Sequence, residues 1–297
     1  MYIPEFIYHK PATLEEACKL LENEKNAAPI AGGTDILVEI KKGLRYNDNI
    51  ISLSEIKDLK RIEKSSNEIY VGATATHNEI KNSKLIRENI PAVAEAASLI
   101  GSDQIRNTAT VGGNLCTGAS CCDMAPVLIA SNASVEIIST KGKKVVALKD
   151  FFVFHRETSI AKGEIMTKII VPISEKGTGV SFHKFGLRDA SAISVVSASA
   201  MIKTDGNKCT DSCVVIGAVA PTPKISIKAS EILKDRELDV IEKNDSVLTE
   251  LGKQAVEDSV PIDDIRGSAE FRRKLVSVLS RRAVHTALLR ARESLKK

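Results

Sequence analysis

Two glycine pairs are the residues of this sequence whose type and spacing best suit the binding of a phosphate group. Gly32-Gly33 stands in AGGTD, between an apolar run and a helix-like stretch, and Gly112-Gly113 stands in ATVGGN, within a long polar segment. Glycine allows positive φ angles and lets another group approach the backbone closely. Successive N–H groups in such a turn form a nest for anions, and a following helix N-terminus adds partial positive charge. Each pair alone indicates either a plain tight turn or a pyrophosphate site.

Other motifs narrow the chemistry further. Neither glycine pair fits GxGxxG or GxxxxGK[ST], so the sequence does not indicate a Rossmann dinucleotide site or a P-loop. Cys116, Cys121 and Cys122 share one loop, and their C-x4-C-C spacing raises the possibility of an iron–sulfur or zinc site. The other three cysteines supply no matching pair, so thiols without a metal are favoured. HExxH and GxSxG are absent and the histidines are scattered, which argues against a hydrolase.

The first half of the chain predicts alternating strands and helices around the glycine pairs. Thr13 and Glu16 stand at the N-cap and capping-box positions of a helix. A short strand over 27–31 leads into the first glycine pair, and a helix over 36–42 follows it. The polar segment 102–120 is predicted to be irregular. Further strands are expected over 49–53, 69–73, 134–138 and 165–172, and an apolar helix over 91–100.

The character of the sequence changes after Pro172. Glu175 to Gly179 reads as a linker, and three predicted strands follow over 180–185, 195–202 and 213–219. The pattern is helical from about Lys228 to the end. Strands followed by helices predict a separate small α+β domain of about 120 residues.

Composition limits the classes of partner and the compartment. The chain has 297 residues, of which 43% are hydrophobic and 27% charged, and its formal net charge is +4. No long basic stripe occurs and Trp is absent, so nucleic acid is not an expected partner. No apolar run reaches about 18 residues, so no membrane span is expected. The first residues do not form a secretory signal and the six cysteines suit reduced thiols, which predicts a cytoplasmic protein.

The order of several segments resembles a known family. The chain carries AGGTD, VGATATHNEI from Val71, QIRNTATVGGNLCTGASCCDMAP from Gln104, HKFGLRDASAISVV from His183 and IRGSAEFRRKLV from Ile265. This ordered set is similar to the FAD-binding medium subunits of the xanthine dehydrogenase and carbon monoxide dehydrogenase family of molybdenum hydroxylases. The resemblance covers essentially the whole chain and is nearest to the bacterial xanthine dehydrogenase FAD subunit.

The resemblance implies an α+β fold with two domains. Residues 1–174 are expected to form a vanillyl-alcohol-oxidase-like (PCMH-type) FAD-binding domain, with lobes at about 1–55 and 56–174. Residues 179–297 are expected to form a small C-terminal α+β domain like that of the carbon monoxide dehydrogenase flavoprotein. Its three strands are expected to form an antiparallel sheet packed against helices.

The resemblance also implies a set of FAD contacts. Two motifs are expected to wrap the pyrophosphate and ribityl with backbone amides, Asp123 to face the ribityl hydroxyls, and Met166, Lys184 and, less centrally, Ile100 to lie at the isoalloxazine ring. The two motifs comprise Pro29, Ile30, Ala31, Gly32, Gly33, Thr34, Asp35 and Ile36, and Thr110, Val111, Gly112, Gly113 and Asn114. No catalytic or metal-binding residue is implied in this chain, because the cysteine-bearing insertion of members with an extra iron–sulfur cluster is absent.

Three of these residues have plainer interpretations. Asp123 could cap a helix that starts near Ala125, Met166 could be strand core, and Lys184, which alternates with Phe182 and Phe185, could face solvent. A lysine near the flavin would stabilise the anionic reduced ring by Coulomb attraction in a poorly solvated site. That interaction would raise the reduction potential.

The implied function is electron transfer within a larger enzyme. Electrons would leave a substrate, xanthine or another purine in the first instance, at a molybdopterin centre on one partner subunit. They would cross [2Fe-2S] clusters on a second partner, reach FAD on this chain, and pass to NAD⁺ or another acceptor. The alternatives are the FAD subunit of a related nicotinate, carbon monoxide or aromatic acyl-CoA hydroxylase, a self-contained flavin oxidoreductase, and a non-catalytic assembly protein.

Overall fold

The structure is a computed structural model that describes residues 3–296. The first lobe is a three-stranded parallel sheet in the order β1-β3-β2, with a helix after each of the first two strands. Its elements are β1 (Ile7–His9), α1 (Leu14–Asn23), β2 (Ala27–Ile30), α2 (Ile36–Lys41) and β3 (Asn49–Ser52). Helix α1 begins where predicted, because the Thr13 hydroxyl accepts a hydrogen bond from the Glu16 N–H.

The second lobe is built on a five-stranded antiparallel sheet in the order β4-β5-β10-β6-β7, with helices on one side. A two-stranded hairpin, β8-β9, lies apart from it. The elements are β4 (Ile62–Ser65), β5 (Glu68–Gly72), α3 (His77–Asn82), α4 (Lys84–Asn89), α5 (Pro91–Ser98), α6 (Asp103–Arg106), α7 (Val111–Cys116), α8 (Met124–Ala130), β6 (Ser134–Ser139), β7 (Gly142–Ala147), β8 (Phe152–Phe154), β9 (Glu157–Thr158) and β10 (Ile165–Pro172).

The polar segment 102–120 is not irregular, as the sequence had suggested. It contains α6 and α7, two short helices that hydroxyl groups cap at their first turns. The Ser102 hydroxyl accepts from the Ile105 N–H, and the Thr110 hydroxyl accepts from the Gly113 N–H. Side-chain caps satisfy donors that a short helix leaves free, which explains helix formation in a stretch rich in polar residues and glycine.

The C-terminal domain pairs an antiparallel sheet with helices, as expected. The sheet has four strands rather than three, in the order β11-β12-β13-β14, because two residues after β13 turn back to pair with it. The elements are β11 (Thr178–Phe185), β12 (Val196–Thr204), β13 (Cys209–Gly217), β14 (Lys224–Ile225), α9 (Ile227–Glu231), α10 (Leu238–Lys243), α11 (Asp245–Asp258) and α12 (Ala269–Leu295). Helix α12 packs across β11 and β12.

The C-terminal domain is joined to the second lobe by apolar packing and by ion pairs. Phe182 and Val215 belong to the buried apolar cluster of the second lobe, and α8 packs against β12 and β13. The Arg290 guanidinium on α12 donates to both carboxylate oxygens of Glu95, at 2.8 and 2.9 Å. Among residues 3–296, no helix is long and apolar enough to cross a bilayer.

A buried arginine holds the C-terminal domain together at the strand ends. The side chain of Arg272 is only 3% exposed and lies 2.6 Å from an Asp264 oxygen. It also donates to the backbone carbonyls of Val195, at 3.1 Å, and Ala218, at 3.3 Å. These carbonyls lie just before β12 and just after β13, so one guanidinium fixes both strand ends to α12.

We expect Arg272→Met to lower the free energy of unfolding by about 3 kcal/mol, because it removes one partner of a buried, hydrogen-bonded ion pair. The matched control is Arg281→Met on the same helix, since Arg281 pairs with an Asp245 side chain that is 79% exposed. The control should lose less than about 1 kcal/mol. Urea denaturation of both variants measures the difference, and equal losses would contradict the structural role of Arg272.

Candidate functional site

One cavity of about 750 Å³ lies where the two lobes and the C-terminal domain meet. Its wall includes every FAD contact that the resemblance implies except Ile30, Val111 and Lys184. The residues brought together are Pro29, Ala31, Gly32, Gly33, Thr34, Asp35, Ile36, Ile100, Thr110, Gly112, Gly113, Asn114, Asp123 and Met166. Segments more than 130 residues apart in the chain therefore share one wall. A cavity of this size suits a cofactor or a drug-sized ligand.

The first glycine motif offers unused backbone donors to the cavity. Gly33 has a φ of +72°, so the chain turns sharply between β2 and α2. Within residues 3–296, the N–H groups of residues 32–35 donate no hydrogen bond, although the Leu37 N–H donates to the Gly33 carbonyl. Consecutive free N–H groups on a left-handed turn form a nest that suits an anionic oxygen.

The second glycine motif has one such free donor among the described residues, the Thr110 N–H, and its other N–H groups are engaged. The Gly112 N–H donates to the Ala73 carbonyl at 2.8 Å, and the Val111 N–H donates to the Ala75 carbonyl at 3.0 Å. The Gly113 N–H donates to the Thr110 hydroxyl at 3.2 Å. The second motif therefore offers fewer backbone amides to a ligand than the first motif does. Its two glycines contribute wall surface without side chains.

The two glycines of each pair have different surroundings. A Cβ atom on Gly32 would lie 1.9 Å from the Thr108 carbonyl oxygen, and one on Gly112 would lie 2.6 Å from the Ala73 oxygen. A Cβ on Gly113 would meet only the Thr110 hydroxyl, at 3.0 Å. Gly32 thus brings the first lobe onto the second, Gly112 packs α7 onto the strand end at Ala73, and Gly113 leaves space in the cavity.

A buried ion pair joins the two domains beside the cavity. The Lys184 ammonium lies 2.7 Å from an Asp123 oxygen, and both side chains are 8% exposed. The ammonium also donates to the carbonyls of Leu99, at 2.9 Å, and Ala192, at 3.2 Å, and the Ser194 hydroxyl donates to Asp123. Asp123 lines the cavity, whereas Lys184 lies behind it.

This pair excludes two of the plainer interpretations. Asp123 precedes α8 but its side chain makes no capping hydrogen bond, and Lys184 does not face solvent. Burial raises the pKa of the Asp123 carboxyl, while the Lys184 ammonium and the Ser194 hydroxyl oppose that rise. A carboxylate in this position is available to accept hydrogen bonds from ligand hydroxyls.

Part of the cavity wall is apolar. Met166 and Ile100 are 3% and 9% exposed, and both line the wall together with Ile105, Ile160 and Ile193. Met166 is therefore strand core and cavity wall at the same time. The cavity presents polar backbone at one part of its surface and aliphatic side chains at another, as a site for a ligand with a charged and a planar apolar half requires.

Four charged residues at the cavity were not identified from the sequence, namely Glu164, which pairs with Lys144, and a cluster of three. Arg45, Arg156 and Glu39 line the cavity, and Glu39 on α2 forms ion pairs with both arginines. Arg156 lies in the turn of the β8-β9 hairpin with a φ of +61°, and its N–H donates to the Gly118 carbonyl. No motif surrounds these residues, because they meet only when the hairpin folds against α2.

The clustered cysteines show no sign of activation. Cys116 and Cys121 line the cavity, and the Cys122 thiol donates to the Asn114 side-chain oxygen at 3.0 Å. Burial raises the pKa values of Cys121 and Cys122, whereas Cys116 is exposed. The thiols of Cys121 and Cys122 are therefore protonated at neutral pH and are poor nucleophiles. The described residues contain no group of three or more side chains suited to a metal ion.

The chain matches two protein-family models end to end. Residues 4–174 match the FAD binding domain in molybdopterin dehydrogenase, and residues 181–287 match the CO dehydrogenase flavoprotein C-terminal domain. The chain is 31% identical over 285 residues to the glyceraldehyde dehydrogenase medium chain of Sulfolobus acidocaldarius, covering 95% of this chain and 98% of that one. It is 28% identical over 288 residues to the xanthine dehydrogenase FAD-binding subunit of Escherichia coli O157:H7, covering 96% of each.

A solved structure agrees with the sequence matches. A chain of the reconstituted CO dehydrogenase from Oligotropha carboxidovorans superposes with a TM-score of 0.92 at 28% identity, covering 98% of this chain and all of that one. Fold, domain order and family models agree over nearly the whole length. The chain belongs to the FAD-binding medium subunits of the carbon monoxide and xanthine dehydrogenase family of molybdenum hydroxylases.

Proposed function

We propose that this chain holds FAD in the central cavity and transfers electrons within a molybdenum hydroxylase complex. The observation that carries the proposal is the run of unused N–H groups at residues 32–35, since these residues line the same cavity as buried aliphatic side chains. FAD has an anionic diphosphate and a planar apolar ring, and this arrangement suits both. When bound, FAD supplies the redox chemistry, and the protein supplies position and electrostatics.

In this proposal, different residues of the chain bind the diphosphate, the ribityl and the ring of the cofactor. The N–H groups of the first glycine motif donate to the diphosphate, and Gly113 leaves room for it. Asp123 accepts hydrogen bonds from the ribityl hydroxyls, held in place by Lys184 and Ser194. Met166 and Ile100 pack against the ring. No residue of this chain needs to act as a general acid or base.

Partner subunits complete the enzyme in this proposal. A molybdopterin subunit oxidises the substrate, and a subunit with [2Fe-2S] clusters passes the electrons to this chain, which delivers them to NAD⁺ or another acceptor. We propose xanthine or another purine as the substrate. We also propose that the molybdenum subunit determines which substrate the complex uses. The chain is similar to chains of enzymes named for glyceraldehyde, xanthine and carbon monoxide, so one flavin-binding architecture accompanies chemically different substrates.

The proposal is tested first on the isolated chain and then on the complex. The purified chain reconstituted with FAD should show flavin absorbance, and it should not turn over xanthine without partners. Affinity purification from the native host should recover a molybdenum subunit and an iron–sulfur subunit, with xanthine-dependent reduction of NAD⁺. Absence of flavin binding would contradict the FAD assignment, and turnover by the isolated chain would contradict the subunit assignment.

We expect Gly113→Val to abolish FAD retention, with binding weakened at least about 100-fold, because the side chain would occupy cavity space. The ligand-free fold should persist, since a Cβ at this position meets only the Thr110 hydroxyl. Fluorescence quenching of added FAD measures the affinity, and thermal melting measures the fold. Lys143→Val, on exposed strand β7, is the control and should bind FAD normally. Normal flavin content in Gly113→Val would refute the placement of the diphosphate.

We expect opposite shifts of the flavin midpoint potential when either member of the buried ion pair is neutralised. Asp123→Asn leaves the Lys184 charge unbalanced and should raise the potential, whereas Lys184→Met should lower it. Each shift should be about 30 mV, which for two electrons corresponds to about 1.4 kcal/mol. Redox titration at pH 8 measures both, with Lys203→Met as the control, since the Lys203 side chain on β12 is 41% exposed and pairs with Glu175. Shifts of the same sign would remove this pair from the neighbourhood of the ring.

A further inference from the structure

The proposed contacts leave one charged cluster in the cavity wall without a function. It consists of Glu39, Arg45 and Arg156, and we call it the Glu39 cluster. Glu39 lies on α2 and Arg45 follows that helix in the first lobe, whereas Arg156 lies in the turn of the β8-β9 hairpin. One carboxylate pairs with two guanidinium groups, so the cluster keeps a surplus of positive charge.

Arg156 is the member of the cluster that is open to a ligand. Its Nη1 donates to Glu39, and within residues 3–296 its guanidinium donates no other hydrogen bond. The Arg156 side chain is 48% exposed, whereas that of Glu39 is 16% exposed. Arg45 is held more fully, because its Nε also donates to the Asn47 side chain at 2.9 Å. An ion pair at the edge of a guanidinium leaves its flat faces free to stack on an aromatic ring.

The cluster lies beyond the free N–H groups of the first glycine motif. Glu39 is four residues after Asp35, which corresponds to about 6 Å along α2. The Arg156 N–H donates to the Gly118 carbonyl at 2.8 Å, and Gly118 is five residues after Gly113. The hairpin is therefore fixed to residues that follow the two glycine motifs. A ligand group at Arg156 lies about one short helix away from the N–H groups that suit a phosphate.

The flavin half of the cofactor does not account for the Glu39 cluster. In the proposed function the ring packs against Met166 and Ile100, and the ribityl lies at Asp123. Among the described residues, no hydrogen bond or ion pair joins the cluster to any of these three. The remaining part of FAD is its adenosine half. Adenine is planar and aromatic, and the ribose separates it from the diphosphate as α2 separates Glu39 from the free N–H groups.

We propose that the Arg156 guanidinium, oriented by Glu39, stacks on the adenine of bound FAD. The proposal rests on the FAD function argued above and adds a contact for the adenosine half. A guanidinium is weakly hydrated, so it loses little hydration when it stacks, and its charge is attracted to the face of the ring. FMN has no adenosine and gains nothing from this contact. Arg156 therefore makes the cavity select FAD over FMN.

The test compares ligands that have the adenosine with ligands that lack it. Arg156→Asn is the test variant, because Arg156 has a φ of +61° and Asn tolerates that conformation. Its affinity for FAD and ADP should fall about ten-fold. Its affinity for FMN and for inorganic pyrophosphate should stay within about two-fold of the parent chain. Titration calorimetry measures all four affinities, and ADP should displace FAD from the parent chain.

Arg61→Asn is the matched control. Arg61 is also an arginine in ion pairs, with Asp58 and Glu63, and its side chain is 63% exposed, but it is not among the described residues that line the cavity. The charge change is the same, and all four affinities should remain unchanged. In protein labelled with ¹⁵N-arginine, the Nε signal that disappears in Arg156→Asn should shift when ADP is added and should not shift with pyrophosphate.

The outcomes separate this proposal from the FAD assignment. If the parent chain binds no FAD, the proposed function fails. If it binds FAD and Arg156→Asn binds FAD and ADP as tightly as the parent does, only the Arg156 contact fails. Equal losses for ADP, FMN and pyrophosphate would place Arg156 at a phosphate and overturn the adenine contact. ADP binding that does not displace FAD would overturn it as well. So would an Nε signal of Arg156 that ADP does not shift, even if the variant did not fold.

Discussion

The close backbone approach between the two lobes is the constraint on which the cavity depends. At Gly32 the first lobe lies so near the Thr108 carbonyl that a Cβ atom would stand 1.9 Å from its oxygen. Any other residue would push the lobes apart, since heavy atoms do not approach that closely. The separation of the lobes sets the distance between the free amides of the first motif and the wall formed by the second. Gly112 adds a second fixed approach, at Ala73, within the second lobe.

The part of the cavity wall formed by Asp123 depends on a buried ion pair rather than on a close backbone approach. Asp123 and Lys184 are both withdrawn from water, and such a pair contributes little net stability because desolvation offsets the attraction. The ion pair instead fixes the position of the Asp123 carboxylate. Two backbone carbonyls and the Ser194 hydroxyl complete its hydrogen bonds, so the carboxylate has one orientation relative to the cavity. The C-terminal domain therefore positions a polar group of the FAD-binding domain.

Much of this arrangement could be predicted from local sequence. The Thr13 cap, the strand before Gly32 and the domain change after Pro172 each depend on residues that are close in the chain. The helices at 102–120 could not be predicted, because their stability comes from single hydroxyl caps and from packing on segment 73–77. The Glu39–Arg156 pair and the unpaired ring of His77 are tertiary facts. Glu39 and Arg156 are 117 positions apart in the chain, and His77 is 32 positions from Ala109, whose carbonyl accepts its N–H. No local sequence pattern indicates either contact.

Charged side chains at the cavity form ion pairs with side chains of opposite charge. Asp123 pairs with Lys184, and Arg45 and Arg156 share the single carboxylate of Glu39. An anionic ligand in this cavity would therefore meet the free backbone N–H groups of residues 32–35 and two arginines that share one carboxylate. Dipolar donors are less sensitive to salt than exposed charges are. In the proposed function, one buried ion pair sets the charge near the flavin ring, so the affinity for the cofactor and its potential would be controlled at separate places.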